Sequence, residues 1–192
     1  MKKRLILVTS PPASGKTFVS QQLAKKLPHI VYLDKDALIP LSKRIFYVAG
    51  EEYNRSSAFF EEHIRNFEYD AILNIGFEAL EYEDLVLINA PFTREVRNND
   101  YINDLKANLA NRGAELVLIW VVTDIEVTRQ RMIERNSPRD TWKIANWEEY
   151  VASRDYSVPN APALSDCLVK FYNSNTEEFN ESMERISKFL ME

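Results

Sequence analysis

Short apolar runs alternate with helical stripes along this chain. The runs 5–8, 30–33, 85–88, 116–122 and 168–172 are rich in Val, Ile and Leu and largely lack polar alternation. Strands buried on both faces of a sheet read this way, because no position along them has to meet water. Between the runs, apolar residues recur at helical spacing. Val19, Leu23 and Leu27 lie four apart, and Phe60, Ile64, Phe67, Ala71 and Ile75 extend a longer stripe. Ile102, Leu105 and Leu109 form a third stripe, stopped at Gly113, a residue suited to ending a helix. Phe179, Met183, Ile186 and Leu190 line a last helix, with Asn175 as its N-cap. Thr123 followed by Glu126 reads as a capping box that opens a helix after the fourth strand. The alternation predicts an α/β fold with a mostly parallel sheet. Ligands in such folds bind beyond the carboxyl ends of the strands, so the loops after residues 8, 33, 88, 122 and 172 are the places to look for chemistry.

Composition narrows this further. With 192 residues, 45 % of them hydrophobic and 28 % charged, the chain suits one globular domain over 1–192. Four glycines exclude a loop-rich or low-complexity chain. The single cysteine, Cys167, and two separated histidines, His29 and His63, exclude an internal disulfide and a Cys/His zinc site. The first apolar run is too short for a signal peptide or a membrane span, which predicts a cytoplasmic chain with no membrane partner. A net charge of −5 argues against a general nucleic-acid binder.

The loop after the first strand carries the most specific signal. It reads Ser10-Pro11-Pro12-Ala13-Ser14-Gly15-Lys16-Thr17, against a phosphate-loop pattern of G-x-x-x-x-G-K-[ST] between strand and helix. In such a loop Gly15 lets the backbone approach phosphate oxygens, and the amides of residues 13–17 point at the anion. Lys16 would lie on the β- and γ-phosphates, and the Thr17 hydroxyl would ligate Mg²⁺. The expected nucleotide-binding residues are Pro12, Ala13, Ser14, Gly15, Lys16 and Thr17. Ser10 stands where the pattern has glycine, and its following proline pushes it to an extended conformation. The remaining shape of the loop is therefore expected to come from the prolines.

The next two loops add carboxylates and an amide. Asp36 follows the second strand, 20 residues beyond Lys16, on the rim that carries the phosphate loop. It could take a proton from an acceptor hydroxyl and orient that oxygen for in-line attack. Asp34 could do the same or hold a Mg²⁺-bound water, and either aspartate could instead cap a helix. Asn89 ends the third strand, where many phosphate-loop proteins carry a metal-supporting aspartate. Arg94, four residues after Ala90, is either an anion contact or a solvated helix-start arginine. After the fourth strand come Arg129, Arg131, Arg135 and Arg139. Arg131 and Arg135 share a helix face, and Ser137-Pro138 should break that helix and expose Arg139. On a closing flap, Arg131, Arg135 and Arg139 would stabilise a transferred phosphoryl group. A solvated helix face would also carry such arginines.

Taken in order, 10–17, 34–36, 85–92 and 129–140 resemble the small P-loop kinases of the zeta-toxin and polynucleotide-kinase-like group, which is similar in turn to chloramphenicol phosphotransferase and gluconate kinase. The resemblance covers essentially the whole chain. It implies a three-layer P-loop NTPase fold, a five-stranded parallel sheet in order 2-3-1-4-5, and ATP with Mg²⁺ as donor. It further implies an acceptor-side helical region at 37–83, a lid at 135–146, and adenine near the loop that begins at Asn173. In that group an aspartate after strand two is the base, which Asp36 matches. An arginine three residues later is frequent there, and this chain has Ile39 instead. The expected function is phosphorylation of a hydroxyl on a small molecule by a monomer or homodimer. The alternatives are a regulatory nucleotide-binding module and a nucleic-acid 5′-hydroxyl kinase.

Overall fold

The computed structural model describes residues 2–137 and 140–192. Its sheet has five parallel strands: β1 (Arg4–Thr9), β2 (Ile30–Asp34), β3 (Leu85–Asn89), β4 (Glu115–Val122) and β5 (Leu168–Tyr172). Their order is β2-β3-β1-β4-β5. β1 lies in the middle with Val8 opposite Asn89 on one side and Ile119 on the other. Asp34 lies directly opposite Asn89 across the β2–β3 pair. All five strands thus present their carboxyl ends along one rim.

Successive side chains of a strand point to opposite faces, and the core divides accordingly. Leu5, Leu7, Val86, Ile88, Leu116, Leu118 and Trp120 face one layer of helices. That layer holds α4 (Asn66–Ala79) and α5 (Asn99–Ala110). Ile6, Val8, Leu85, Leu87, Val117, Ile119 and Val121 face the other. It is formed by α1 (Lys16–Lys26), through Val19 and Leu23, and α9 (Thr176–Met191), through Met183, Ile186 and Leu190. A strand buried on both faces needs apolar residues at every position, which explains the unbroken runs. Gly76 lets α4 lie close on the sheet, since a Cβ there would come within 2.9 Å of Ile88 Cδ1.

Two expectations change. The stripe from Phe60 to Ile75 is not continuous. Helix α3 (Ala58–Phe60) runs into a π-helical turn at Glu61–Arg65 before α4 begins. The wider turn shifts the phase of the helix. The buried face becomes Tyr69, Ile72, Leu73 and Gly76, while Phe67 and Ile75 turn outward. The helix after β4, α6 (Ile125–Arg135), is capped by Asp124 and not by Thr123. The Asp124 carboxylate accepts from the amides of Glu126 and Val127. Asn175 caps α9 as its position suggested. α2 (Ile39–Ala49), α7 (Thr141–Ala145) and α8 (Trp147–Ala152) complete the helices used below.

Candidate functional site

The phosphate loop joins β1 to α1, and its bend uses two left-handed residues. Gly15 has φ +82° and Ala13 has φ +64°. The prolines alone therefore do not shape this loop: Ala13 supplies a turn that glycine would adopt without strain, at a cost of about 1–2 kcal/mol. Gly15 is further required by crowding, because a Cβ would lie 2.4 Å from Asn173 Nδ2 and 3.3 Å from an Arg131 guanidinium nitrogen. The Ser14 carbonyl is the loop's anchor. It accepts from Thr123 Oγ1 at 2.9 Å and from Asn173 Nδ2 at 2.8 Å. Thr123 thus serves the loop from the end of β4, and Asn173 does so from the end of β5.

Beneath the loop, the ends of β2 and β3 and the start of α1 meet at one amide. Lys16 Nζ donates to Asn89 Oδ1 at 2.7 Å. Asn89 Nδ2 in turn donates to Asp34 Oδ2 at 2.7 Å and to Thr17 Oγ1 at 3.2 Å. Tyr32 donates its hydroxyl to the same Asp34 oxygen at 2.9 Å, while Asp34 Oδ1 accepts from the Asp36 amide. Asp34 is thus both a cap of the following turn and a carboxylate that shares the Asn89 amide with Thr17. Burial lowers the Lys16 pKa from its ordinary value, and the charges of Asp34 and Asp36 partly oppose that. Burial and the Asp34 hydrogen bond push the Tyr32 phenol up to about 12. Asn89 is itself buried, and its two ends match a lysine donor and a carboxylate acceptor in a way that a second carboxylate could not.

Asp36 differs from its neighbours. Its side chain is 67 % exposed and accepts no hydrogen bond among the described residues; Lys35 Nζ, at 3.8 Å, is its nearest cation. It stands on the same rim as Lys16, which feels its charge.

The arginines divide into two groups. Arg131 donates to the Asn173 carbonyl at 2.7 Å and, more weakly, to that of Ser14 at 3.5 Å, which ties the loop after β5 to the phosphate loop. Burial lowers its pKa. Arg135 instead grips the fully buried Asp140 with two nitrogens, and Lys143 donates to the other Asp140 oxygen at 2.9 Å. Arg139 lies outside the described residues. The structure therefore gathers Lys16, Thr17 and Asp34 around Asn89, ties Asn173 and Arg131 to the loop at Ser14, leaves Asp36 open on the same rim, and holds Arg135 on an internal partner.

Among the described residues no group of three or more His, Cys, Asp or Glu side chains is placed to hold a metal. Thr17 and Asp34 offer hard oxygen donors that fit Mg²⁺, which commonly completes its shell with phosphate oxygens and water.

Opposite the phosphate loop, the helices following β2 carry a buried charge network that periodicity did not reveal. Glu68 accepts from Lys35 Nζ at 2.8 Å, from both terminal nitrogens of Arg55 at 2.7 and 2.6 Å, and from the Ser42 hydroxyl. Burial raises the Glu68 pKa, but these donors prevail and hold it at about 2. The only sequence signal was a glutamate and a lysine at positions next to apolar ones. Asn89 had a plainer signal, being a polar residue at the end of a buried strand.

Residues 5–156 match the family described as AAA domain. No curated relative matches the sequence. Among solved structures, a "putative kinase" from Chloroflexus aurantiacus j-10-fl shares 19 % identity at a TM-score of 0.63, covering 100 % of this chain and 98 % of its own. A gluconokinase from Sinorhizobium meliloti 1021 has 16 % identity and a TM-score of 0.53, covering 98 % and 96 %. A shikimate kinase from Bacteroides thetaiotaomicron has 16 % identity and a TM-score of 0.54, covering 98 % of each chain. At such identities the likeness is one of fold, and it agrees with the strand order and the glycine–lysine–threonine loop. The chain belongs to the AAA domain family and has the fold of the small P-loop kinases.

Proposed function

We propose that this protein is an ATP-dependent phosphotransferase that moves the γ-phosphoryl group to a hydroxyl of a small molecule. The observation that carries the reading is the convergence of Lys16, Asn89, Asp34 and Thr17 beneath a loop bent by left-handed Gly15, with an open carboxylate, Asp36, on the same rim. The kinase neighbours of similar fold support the reaction class.

In this reading one kinase domain spans 1–192, with acceptor-side helices at 37–83 and a lid at 135–146. The amides of 13–17 and Lys16 hold the β- and γ-phosphates, a charge-assisted arrangement that stabilises the transferring group without reorganising at the moment of reaction. Thr17 and Asp34 would hold Mg²⁺, which when bound would neutralise phosphate charge. Asp36 accepts the proton of the acceptor hydroxyl while that oxygen bonds to phosphorus and the bridging bond to ADP breaks. Arg131 orders the loop at Asn173 against which the base would lie. Arg135 and Arg139 belong to the lid; Arg135, tied to the buried Asp140, positions it, and Arg139 would meet the transferred phosphoryl group as the lid closes.

The test is transfer of labelled γ-phosphate to a panel of sugars, nucleosides, antibiotics and short oligonucleotides, with Lys16→Ala as the blank. Product formed by the wild type and not by the variant supports the reading. Equal transfer by both would sink it. Asn89 in place of a carboxylate, together with Ile39 in place of an arginine, favours one second reading, a regulatory module that binds nucleotide without transfer. ATP binding with no phosphorylated product from any acceptor, coupled to nucleotide-dependent capture of a partner, would point there.

A further inference from the structure

Four basic side chains stand on the segments between Asp36 and the loop after β3, Lys35 and Arg65 of them buried, and each already has a carboxylate. Lys35 and Arg55 share Glu68, at 2.8 Å and 2.6–2.7 Å. Arg65 meets Glu95 at 2.7 Å, and both are nearly buried. Arg94 donates to both oxygens of Glu61 at 2.7 and 2.9 Å. Two of these pairs are neighbours through Tyr69. Lys35 and Arg65 both lie over the Tyr69 ring, at 5.4 and 4.4 Å, and Tyr69 donates its hydroxyl to the Pro91 carbonyl just beyond β3. Asp36 is 3.8 Å from Lys35 and adds a further negative charge.

Resting on the kinase reading above, we propose that the acceptor is an uncharged hydroxyl compound and not a carboxylate or a phosphate ester. Recognition of an anion needs a guanidinium or ammonium group with donors to spare. Taking Lys35 or Arg55 from Glu68 would leave a buried carboxylate with fewer donors than its charge requires, the expensive way to break a buried pair. Arg65 and Glu95 pose the same obstacle. Arg94–Glu61 is exposed and could exchange one carboxylate for another, but an exchange in water between equivalent partners yields little net affinity. Lys43 and Arg44 have no carboxylate partner among the described residues. They stand exposed on α2 over the rings of Tyr53 and Tyr47, at 5.2 and 4.7 Å, where an ion pair with a ligand is again screened by water. An uncharged polyol, by contrast, needs only acceptors for its hydroxyls, which the open carboxylates of Asp36 and Glu61 supply.

The experiment uses the full chain in two arms. One measures binding of a non-hydrolysable ATP analogue with Mg²⁺; its failure counts against the kinase reading and leaves the other arm interpretable. The other measures binding of gluconate and glycerate, at fixed ionic strength, to the wild type and to Glu61→Gln. That variant frees Arg94 at the surface without touching the Glu68 network. The wild type is expected to bind neither carboxylate above a chloride control. The variant is expected to gain affinity by about threefold over the wild type's limit, the increment of one solvent-screened ion pair. Specific carboxylate binding by the wild type overturns the proposal. A variant with no gain overturns it as well, because Glu61 would then not be what quenches Arg94.

Discussion

In the kinase reading, the basic groups of the donor side rest on neutral oxygens and those of the acceptor side on carboxylates. Lys16 donates to the Asn89 amide, and Arg131 donates to the Asn173 and Ser14 carbonyls. Lys35, Arg55, Arg65 and Arg94 instead pair with Glu68, Glu95 and Glu61. A neutral partner satisfies hydrogen bonding and leaves the charge uncompensated. The donor side is therefore primed for an anion, and desolvation of Lys16 sharpens this, since burial penalises its charged form until an anion arrives. The acceptor side has spent its charge on its own architecture. Arg135, held by the fully buried Asp140, follows the pattern of the carboxylate-paired group.

The most severe way to break this contrast is to remove the uncompensated charge. Lys16→Ala should lower transfer by about 10³-fold or more while leaving the melting temperature close to that of the wild type. Parallel rate and melting measurements check both halves, and a fold that collapses with the lysine would mean that its role is structural.

The acceptor side should respond in stability. Glu68→Gln removes the charge that holds Lys35 and Arg55, and should cost about 3–5 kcal/mol in urea unfolding. The same network predicts a pH dependence. The Glu68 pKa of about 2 in the folded protein lies below the ordinary glutamate value, so its contribution is fully present above the unfolded pKa. It is lost as pH falls from roughly 4.5 toward 2. Unfolding free energies followed through that window should fall more steeply for the wild type than for Glu68→Gln; parallel curves would remove Glu68 from the account.

A smaller effect sharpens the role of the amide. Asn89→Asp puts a second carboxylate beside Asp34, at a position now 2.7 Å from it, and removes the donor they share. One of the two carboxylates should then titrate at raised pH, and turnover near neutrality should drop by about tenfold, or 1.4 kcal/mol. A rate increase would show instead that the position wants a metal-supporting carboxylate. Least of all, Ala13→Gly should relieve the left-handed strain and raise the melting temperature by about 2–4 °C if 1 kcal/mol is recovered. No change there would mean that the loop stores no strain at Ala13.

The sequence pattern made the sheet legible because strands buried on both faces leave uninterrupted apolar runs, and the strand order followed from resemblance. The phosphate loop was legible through Gly15-Lys16-Thr17. Two features escaped. The π-turn at Glu61–Arg65 moves Phe67 out of the core, which a fixed helical period cannot represent. The partners of Asn89 and Glu68 come from residues 73 and 33 positions away in the chain, and no local spacing encodes such a pairing. Thr123 shows the same thing on a small scale. Its neighbours suggest a cap, while the fold uses its hydroxyl to hold Ser14.

Asp36 is where the two sides meet, and its replacement is the most direct measurement. Asp36→Asn keeps the size and surface position of the side chain and removes its capacity to take a proton. With the acceptor identified by the labelled-phosphate panel, turnover should fall by about 10²–10⁴-fold. The dissociation constant for the ATP analogue should stay within about twofold of the wild type's, since Lys16 and the loop amides are untouched. Undiminished turnover, or a loss confined to nucleotide affinity, would contradict the account.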